Sequence, residues 1–305
     1  MMFDASIIVP TYNREDELKL TLDSFVAQRG KHHFEVIVCD DGSTDGTEEL
    51  VGSYSSVLNI KYLYQEDKGF RAATARNMGI KAATGELCIF VDSGIMLHPN
   101  AVTEYLKIYS REGECTIIGY LYGFDTVKLS EEKILELKEI ISQNSFEESI
   151  PKLTKKNYFD VREKSYQALG DDLNKWAAPF IVFWSGNVAV PKKVLDKVGM
   201  FDEFFNTWGG EDTELGLTLQ KANVKYVLSR EACGIHYPHE IDKTNLWNEN
   251  PEEAYLQLVE KQKYMLNKHP INAMKLYTRV YDPILLNQIL AAHEKKQLQK
   301  KKATV

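Results

Sequence analysis

The stretch Asn206-Thr-Trp-Gly-Gly-Glu-Asp-Thr-Glu-Leu215 places two adjacent acids directly after two glycines and ahead of an apolar-periodic run. Gly209 and Gly210 suit a tight turn that other residues would strain, and Leu215, Leu219 and Ala222 give the run one buried helical face. Glu211 and Asp212 then fall on the first helical turn, where the positive end of the helix dipole favours an ionised carboxylate. An acid held in this way can act as a general base. By itself the pair is more simply read as the start of a capped helix, so the case for chemistry rests on the rest of the chain.

Three more places deliver reactive groups to strand ends. Ser6–Val9 is a short apolar run ended by Pro10, a buried strand leaving the sheet into a turn, and a helix capped by Asn13 should follow, with Leu18, Leu22, Phe25 and Val26 on one face. Phe34–Cys39 is the next strand and runs into Asp40-Asp-Gly-Ser-Thr-Asp45, a turn composition that sets acids at a carboxyl edge. Glu48–Tyr54 reads as a short helix and Ile60–Tyr64 as a third strand. Gly69–Ala83 is a helix whose Ala72, Ala73 and Ala75 permit close packing, with Gly85 at its C-terminal turn, and Glu86–Val91 is a strand ending at Asp92. Four strands alternating with helices imply a mainly parallel α/β sheet whose ligands bind beyond the carboxyl ends. Pro10–Arg14, Asp40–Ser43 and Asp92–Gly94 should therefore meet in one crevice.

Beyond these elements, residues 127–180 turn charged and helical, with an amphipathic face at Ile134, Leu135, Leu137, Ile140 and Ile141 and poor periodicity over Asn144–Tyr158. This reads as an insertion over one edge of the crevice. Ile181–Trp184 should resume the sheet, Ser185–Asn187 should turn, and Val188–Val190 and Val224–Leu228 should be strands, the latter followed by a loop carrying His236 and His239. Residues 251–305 read as a helical extension, with Pro283 starting a helix, expected to pack on the main domain or on a second copy as a homodimer. The chain thus divides into 1–126, 127–180, 181–250 and 251–305.

The 305 residues are 44% hydrophobic and 27% charged, enough for a sizeable core. The longest apolar runs, such as Leu87–Val91, are too short to span a bilayer, and Met1–Ser6 lacks a basic region before a long apolar one, so no leader is expected. A net charge of −7 argues against a nucleic-acid partner. Only the tail Lys295–Lys302 is basic, a solvated helix end or a peripheral membrane contact. Cys39, Cys88, Cys115 and Cys233 lack metal-like spacing and read as buried thiols of a reducing, cytoplasmic setting.

Val9-Pro-Thr-Tyr-Asn-Arg14, Val38-Cys-Asp-Asp-Gly-Ser-Thr-Asp45, Ala75-Arg-Asn-Met-Gly-Ile80 and Trp208-Gly-Gly-Glu-Asp212 occur in this order. Together they resemble the inverting GT-A glycosyltransferases of family two, and the last motif resembles the galactosyltransferase-type carboxyl half of bacterial chondroitin and hyaluronan-type synthases. The resemblance covers about residues 5 to 240. It implies a GT-A fold, a single Rossmann-like twisted sheet flanked by helices, and transfer of a hexose or N-acetylhexosamine from a UDP-sugar to a hydroxyl acceptor. The acceptor is left open among saccharide, glycolipid, peptide and natural product.

Carried over position by position, the resemblance implies that Pro10, Thr11, Tyr12 and Arg14 line the donor, with Tyr12 stacking on uracil. Asp41 would accept the uracil N3 hydrogen, which favours uridine nucleotides. Arg71 and Arg76 would meet the diphosphate or ribose, though one of them could instead be a structural ion pair, and Asn77, Asp92 and Ser93 would complete the donor side. Asp212 takes the place of the base with Glu211 in support, and Trp208, Asn187 and Gly210 would face the acceptor. Asp92-Ser-Gly94 stands where the family carries its D-x-D metal motif, and Gly94 has no ligand atom for Mn2+ or Mg2+. Asp92 with His236 could still hold the cation, the reaction could proceed without metal, or the motif could be shifted by one residue.

Two rival readings remain. The lost acid at Gly94 fits a catalytically silent nucleotide-sugar-binding module. A sugar nucleotidyltransferase would need a glycine-rich phosphate loop with a basic residue near the amino terminus, which Pro10–Asp16 lacks.

Overall fold

A computed structural model describes residues 3–123, 130–238, 251–280 and 282–303. Its centre is an eight-stranded sheet, made from β1 (Ala5–Thr11), β2 (Phe34–Asp40), β3 (Ile60–Tyr64), β4 (Leu87–Val91), β5 (Ile95–Leu97), β6 (Cys115–Tyr122), β7 (Asn187–Pro191) and β8 (Lys225–His236) in the order β3-β2-β1-β4-β7-β6-β8-β5. Strands β3, β2, β1 and β4 are parallel, as are β6 and β8, while β7 runs antiparallel to both β4 and β6, and β5 antiparallel to β8.

The central strands β1, β4 and β7 are buried along nearly their whole length because both sheet faces are covered, whereas β3 and β8 also carry exposed residues such as Lys61 and Lys225. Alternate residues enter opposite cores: Ile8, Ile37, Phe90 and Val188 pack on one side, and Ile7, Val9, Val36 and Ile89 on the other. Helix α1 (Glu15–Val26) buries Leu18, Leu22 and Phe25. Next come α2 (Thr47–Ser53) and α3 (Ala72–Ala82). A Cβ on Gly79 of α3 would lie 2.5 Å from Ile8 and 2.8 Å from Cys39, so the small residues of this helix let it sit directly on β1 and β2. All four cysteines are buried free thiols.

Several local expectations are corrected. Asn13 does not cap α1. It takes a left-handed φ of 48°, which asparagine tolerates, and its side-chain oxygen accepts from the Thr44 N–H at 2.8 Å, tying the turn after β1 to the turn after β2. Ile181–Trp184 is not a strand but overlaps a short 3-10 helix, Pro179–Val182. A brief apolar run cannot by itself separate a strand from a buried helical turn, and here Pro179 starts the turn. The span Ile95–Tyr122, for which no element was named above, supplies β5, α4 (Ala101–Glu112) and β6.

The inserted region contains α5 (Glu131–Ser142), α6 (Phe146–Lys155) and α7 (Glu163–Leu169). Helix α6 forms where periodicity is poor because Ser145 and Glu148 make a reciprocal capping box. After β7 come α8 (Lys192–Val198) and α9 (Glu211–Lys221), and strand β8 runs well past Leu228, to His236. The expected boundaries at residues 126–127 and 250, and His239, lie outside the described residues.

Three further helices, Pro251–Lys268, Asn272–Tyr277 and Pro283–Ala303, form the extension. Met265, Met274, Leu286 and Leu290 bury themselves in the same core as α9, so the extension packs on its own main domain. Among the described residues, no helix is long and apolar enough to cross a membrane.

Candidate active site

The parallel register of β2, β1 and β4 aligns their carboxyl ends, and the turns that follow are stitched together. Ser93 Oγ donates to the Pro10 carbonyl at 2.8 Å, the Asn13 N–H donates to Ser43 Oγ at 2.8 Å, and the Asp41 N–H donates to the Thr11 carbonyl at 2.9 Å. The two acids after β2 divide their work. Asp40 is fully buried and accepts from the Gly42 and Ser43 N–H groups and from the Tyr62 hydroxyl, so it builds the turn. Asp41 accepts from Gln65 Nε2 at 2.6 Å and from the Arg71 N–H at 2.7 Å, with Arg71 Nη2 at 3.2 Å. Burial raises the Asp41 pKa while Gln65 and Arg71 oppose the rise.

Tyr12 projects from the first turn with 43% of its surface exposed, and its hydroxyl donates to Asp67 at 2.9 Å. Asp67 reaches it because Gly42 has no side chain: a Cβ there would stand 2.5 Å from the Asp67 nitrogen. Neither Asp67 nor Gln65 was singled out by motif. The signal that could have found them is topological, since they follow β3 and β3 must lie beside β2 with its carboxyl end on the same edge.

Helix α3 connects this region to the second acidic cluster. Arg71 begins it, and Arg76 lies five residues on, about 7.5 Å along the axis. The Arg76 guanidinium is buried, with Nη2 2.9 Å from Asp92 Oδ1 and Nη1 3.4 Å from Glu211 Oε1. It also lies over the Phe201 ring, 5.4 Å from the centroid. Burial works against its charge, but Asp92, Asp212 and Glu211 outweigh burial and hold it protonated.

Gly210 precedes α9 with φ of 108°, a conformation that suits glycine, and a Cβ there would meet the Phe205 ring at 2.6 Å. Glu211 is buried at the helix start, and Asp212 Oδ2 accepts from the Ser185 N–H at 3.1 Å. Burial raises the pKa of both acids, Glu211 further by the neighbouring Asp212 charge, with Arg76 opposing in each case. Buried polar atoms without a hydrogen-bond partner among the described residues include Arg76 Nε, Glu211 Oε2, Asp212 Oδ1 and Ser185 Oγ here, and others elsewhere in the fold such as Thr116 Oγ1 and Tyr166 Oη. Buried polar groups are normally paired, so these four atoms leave hydrogen-bonding capacity beside the acids of α9.

The remaining expected residues are distributed unevenly. Thr11 and Ser93 are buried beneath the turns, Arg14 begins α1, and Trp208 is 61% exposed on the loop before Gly210. Asn187 does not line the crevice. It is wholly buried, accepting from the Tyr105 hydroxyl and donating to the Ala232 and Tyr120 carbonyls. Asn77 is likewise committed: it donates to the Phe201 carbonyl and to Glu203, and accepts from the Phe201 N–H, fixing α3 to the segment before the Trp208 loop.

His236 pairs in register with Ile95, and the Tyr237 N–H donates to the Gly94 carbonyl at 2.8 Å, so the end of β8 lies beside the glycine that replaces the acid. Among the described residues, no group of three or more His, Cys, Asp or Glu side chains is arranged to hold a metal ion. Asp92 is part exposed with one oxygen on Arg76, which leaves its other oxygen able to serve as a cation ligand.

A family model described as Glycosyl transferase family 2 matches residues 6–174, and a second, described as the N-terminal domain of galactosyltransferase, matches residues 170–243. The chain is 37% identical over 238 residues to validoxylamine A glucosyltransferase of Streptomyces hygroscopicus subsp. limoneus, covering 77% of this chain and 52% of that protein. It is 36% identical over 235 residues to chondroitin synthase of Escherichia coli, covering 75% of this chain and 32% of the synthase. The chain therefore spans about half the length of the first relative and about a third of the second. Among solved structures, S. aureus TarS 1-349 in complex with UDP-GlcNAc aligns with a TM-score of 0.60 at 19% identity, covering 87% of this chain and 67% of that one. The mannosyltransferase PcManGT from Pyrobaculum calidifontis, in complex with GDP-Man and Mn2+, aligns with a TM-score of 0.59 at 15% identity over 100% of this chain and 80% of that one. At these identities the two structures share the fold, and that fold is the GT-A arrangement.

Proposed function

The chain belongs to the family 2 glycosyl transferases, and on that premise we propose that it moves a hexose or N-acetylhexosamine from a UDP-sugar to a hydroxyl acceptor with inversion at the anomeric carbon. The observation that carries the reading is the Arg76 bridge, which draws Asp92 from the nucleotide-side strands and Glu211 from the carboxyl half to one point, with Asp212 adjacent.

In this reading Tyr12 offers its ring to uracil while Asp67 fixes the ring through the hydroxyl, and Asp41 accepts from the uracil N3–H. Arg71 and Arg76 lie between the base and the acids and meet the diphosphate. Asp212 takes the proton from the acceptor hydroxyl. The acceptor oxygen bonds to the anomeric carbon as the bond from that carbon to the diphosphate oxygen breaks, and the electron pair leaves with UDP. Attack opposite the leaving group inverts the centre. The Ser185 N–H on Asp212 Oδ2 fixes the carboxylate and leaves Oδ1 for the proton. Glu211 meets sugar hydroxyls.

The relatives support a nucleotide-sugar donor, since their names include a glucosyltransferase and a chondroitin synthase, and a structural neighbour is complexed with UDP-GlcNAc. Asp92 and His236 are the residues that would hold Mn2+ or Mg2+, a cation that would neutralise diphosphate charge when bound.

The test is a donor-hydrolysis and transfer screen across nucleotide sugars, with and without Mn2+ and chelator, on wild type and Asp212→Asn. The expected result is turnover of a UDP-sugar that Asp212→Asn lowers by about 100- to 10,000-fold with donor binding retained. Unchanged turnover in the variant would remove Asp212 as the base. Donor binding with neither hydrolysis nor transfer in wild type would favour the silent binding module, and full activity in chelator would remove the cation.

A further inference from the structure

The helix Pro251–Lys268 does more than cover the core, because one of its side chains enters the loop that carries the acids. Lys261 Nζ donates to three consecutive carbonyls, those of Thr207 at 3.1 Å, Trp208 at 2.7 Å and Gly209 at 2.8 Å. An ammonium has three donors, and this loop occupies all three. Peptide planarity then turns the N–H groups of Trp208, Gly209 and Gly210 to the opposite face of the loop, away from the helix. Glu211 follows directly, and its charge and that of Lys261 favour one another.

The same helix grips the loop's flanks. Tyr264 stacks on Phe204 with centroids 3.7 Å apart and donates to Asp202 at 2.6 Å, and Lys268 reaches Asp202 and, at 2.8 Å, Glu214 on α9. His269, just beyond, lies 2.8 Å from Glu214. The flanks are thus held by side chains at both ends, but the Trp208-Gly209 segment is itself held by Lys261. Two successive glycines give that segment wide backbone freedom, so its conformation needs an outside constraint.

We infer that Lys261 is a positioning residue for the transfer reaction: it fixes the Thr207–Gly210 loop so that Trp208 and the acids of α9 present one geometry to the acceptor. The inference rests on the proposed transferase reading. The donor-binding turns after β1 and β2 make no part of this contact, so loss of Lys261 should separate acceptor from donor.

The experiment compares the full chain as wild type, Lys261→Ala and Lys261→Arg, after checking that each melts cooperatively. Hydrogen exchange of the 206–212 peptide should be faster in Lys261→Ala and partly restored in Lys261→Arg. The acceptor KM should rise or transfer kcat fall by about 10- to 100-fold in the alanine variant, the size expected for a small misplacement of a catalytic group. UDP affinity should stay within about twofold, since Lys261 contacts neither the turns after β1 and β2 nor the arginines proposed to hold UDP. Unchanged exchange in the 206–212 peptide would overturn the inference whether or not any donor is turned over. So would faster exchange with unchanged acceptor kinetics, or a parallel loss of UDP affinity. A wild type that turns over no nucleotide sugar would instead strike the transferase reading.

Discussion

Arg76 on α3 and Asp92 at the end of β4 form a 2.9 Å ion pair whose cationic side is buried and whose anionic side is part exposed. The same guanidinium reaches the buried Glu211, so one cation compensates acids that come from two halves of the chain. Arg76→Met would leave those acids uncompensated. Breaking such a buried pair from one side should cost about 3–5 kcal/mol, toward the lower end because water screens the Asp92 arm, measurable by urea denaturation. A loss below about 1 kcal/mol would mean that the acids are neutralised by other means.

Glu211 should make stability depend on pH. Burial, with Asp212 beside it, raises its folded pKa above the unfolded value. In the window between the two values the unfolded state binds fewer protons, so stability falls as pH rises from about 4.3 toward neutrality, and the penalty is fully present above the raised value. Glu211→Gln removes this term. Its Tm relative to wild type should therefore climb with pH across that window, and a difference constant across pH would refute the assignment.

The Tyr12 hydroxyl and the Tyr12 ring should be separable by UDP titration calorimetry. Tyr12→Phe keeps the ring and loses the bond to Asp67, which should weaken UDP binding by about 2- to 10-fold. Tyr12→Ala also loses the stacking surface and should weaken it by about 10- to 100-fold more. Equal effects of the two substitutions would show that the ring does not contact the base.

Gly209 and Gly210 should differ although both have positive φ. A Cβ at Gly209 meets nothing within 4 Å, whereas one at Gly210 meets Phe205 at 2.6 Å. Gly209→Ala should cost about 1 kcal/mol for the backbone alone. Gly210→Ala should add about 1–3 kcal/mol of overpacking and lower transfer, read by thermal melts alongside activity. Equal melting of the two variants would contradict the packing at Phe205.

Much of the amino-terminal half was legible because its information is local. Short apolar runs ending in Pro10, Asp40 and Asp92 mark strands and the edge on which their turns fall, and four ordered motifs point to the family whose model matches residues 6–174. The 3-10 turn at Pro179–Val182 was not legible, because a brief apolar segment carries no period that separates a strand from a buried turn, whereas α4 does carry a helical period in Val102, Tyr105, Ile108 and Tyr109.

What the sequence by itself determined is which side chains are available and in what order they meet the sheet edge. What only the tertiary structure decided is which of them face one another. Asn77 and Asn187 sit inside or beside motifs yet spend their amides on structural bonds within the fold, while Asp67, Gln65, Ser185 and Lys261 carry no motif and hold Tyr12, Asp41, Asp212 and the Trp208 loop. The reason is physical. A hydrogen bond is fixed by distances of about 3 Å between atoms that can lie 124 residues apart, as in Asn77 and Phe201, and strand order and helix packing set those distances.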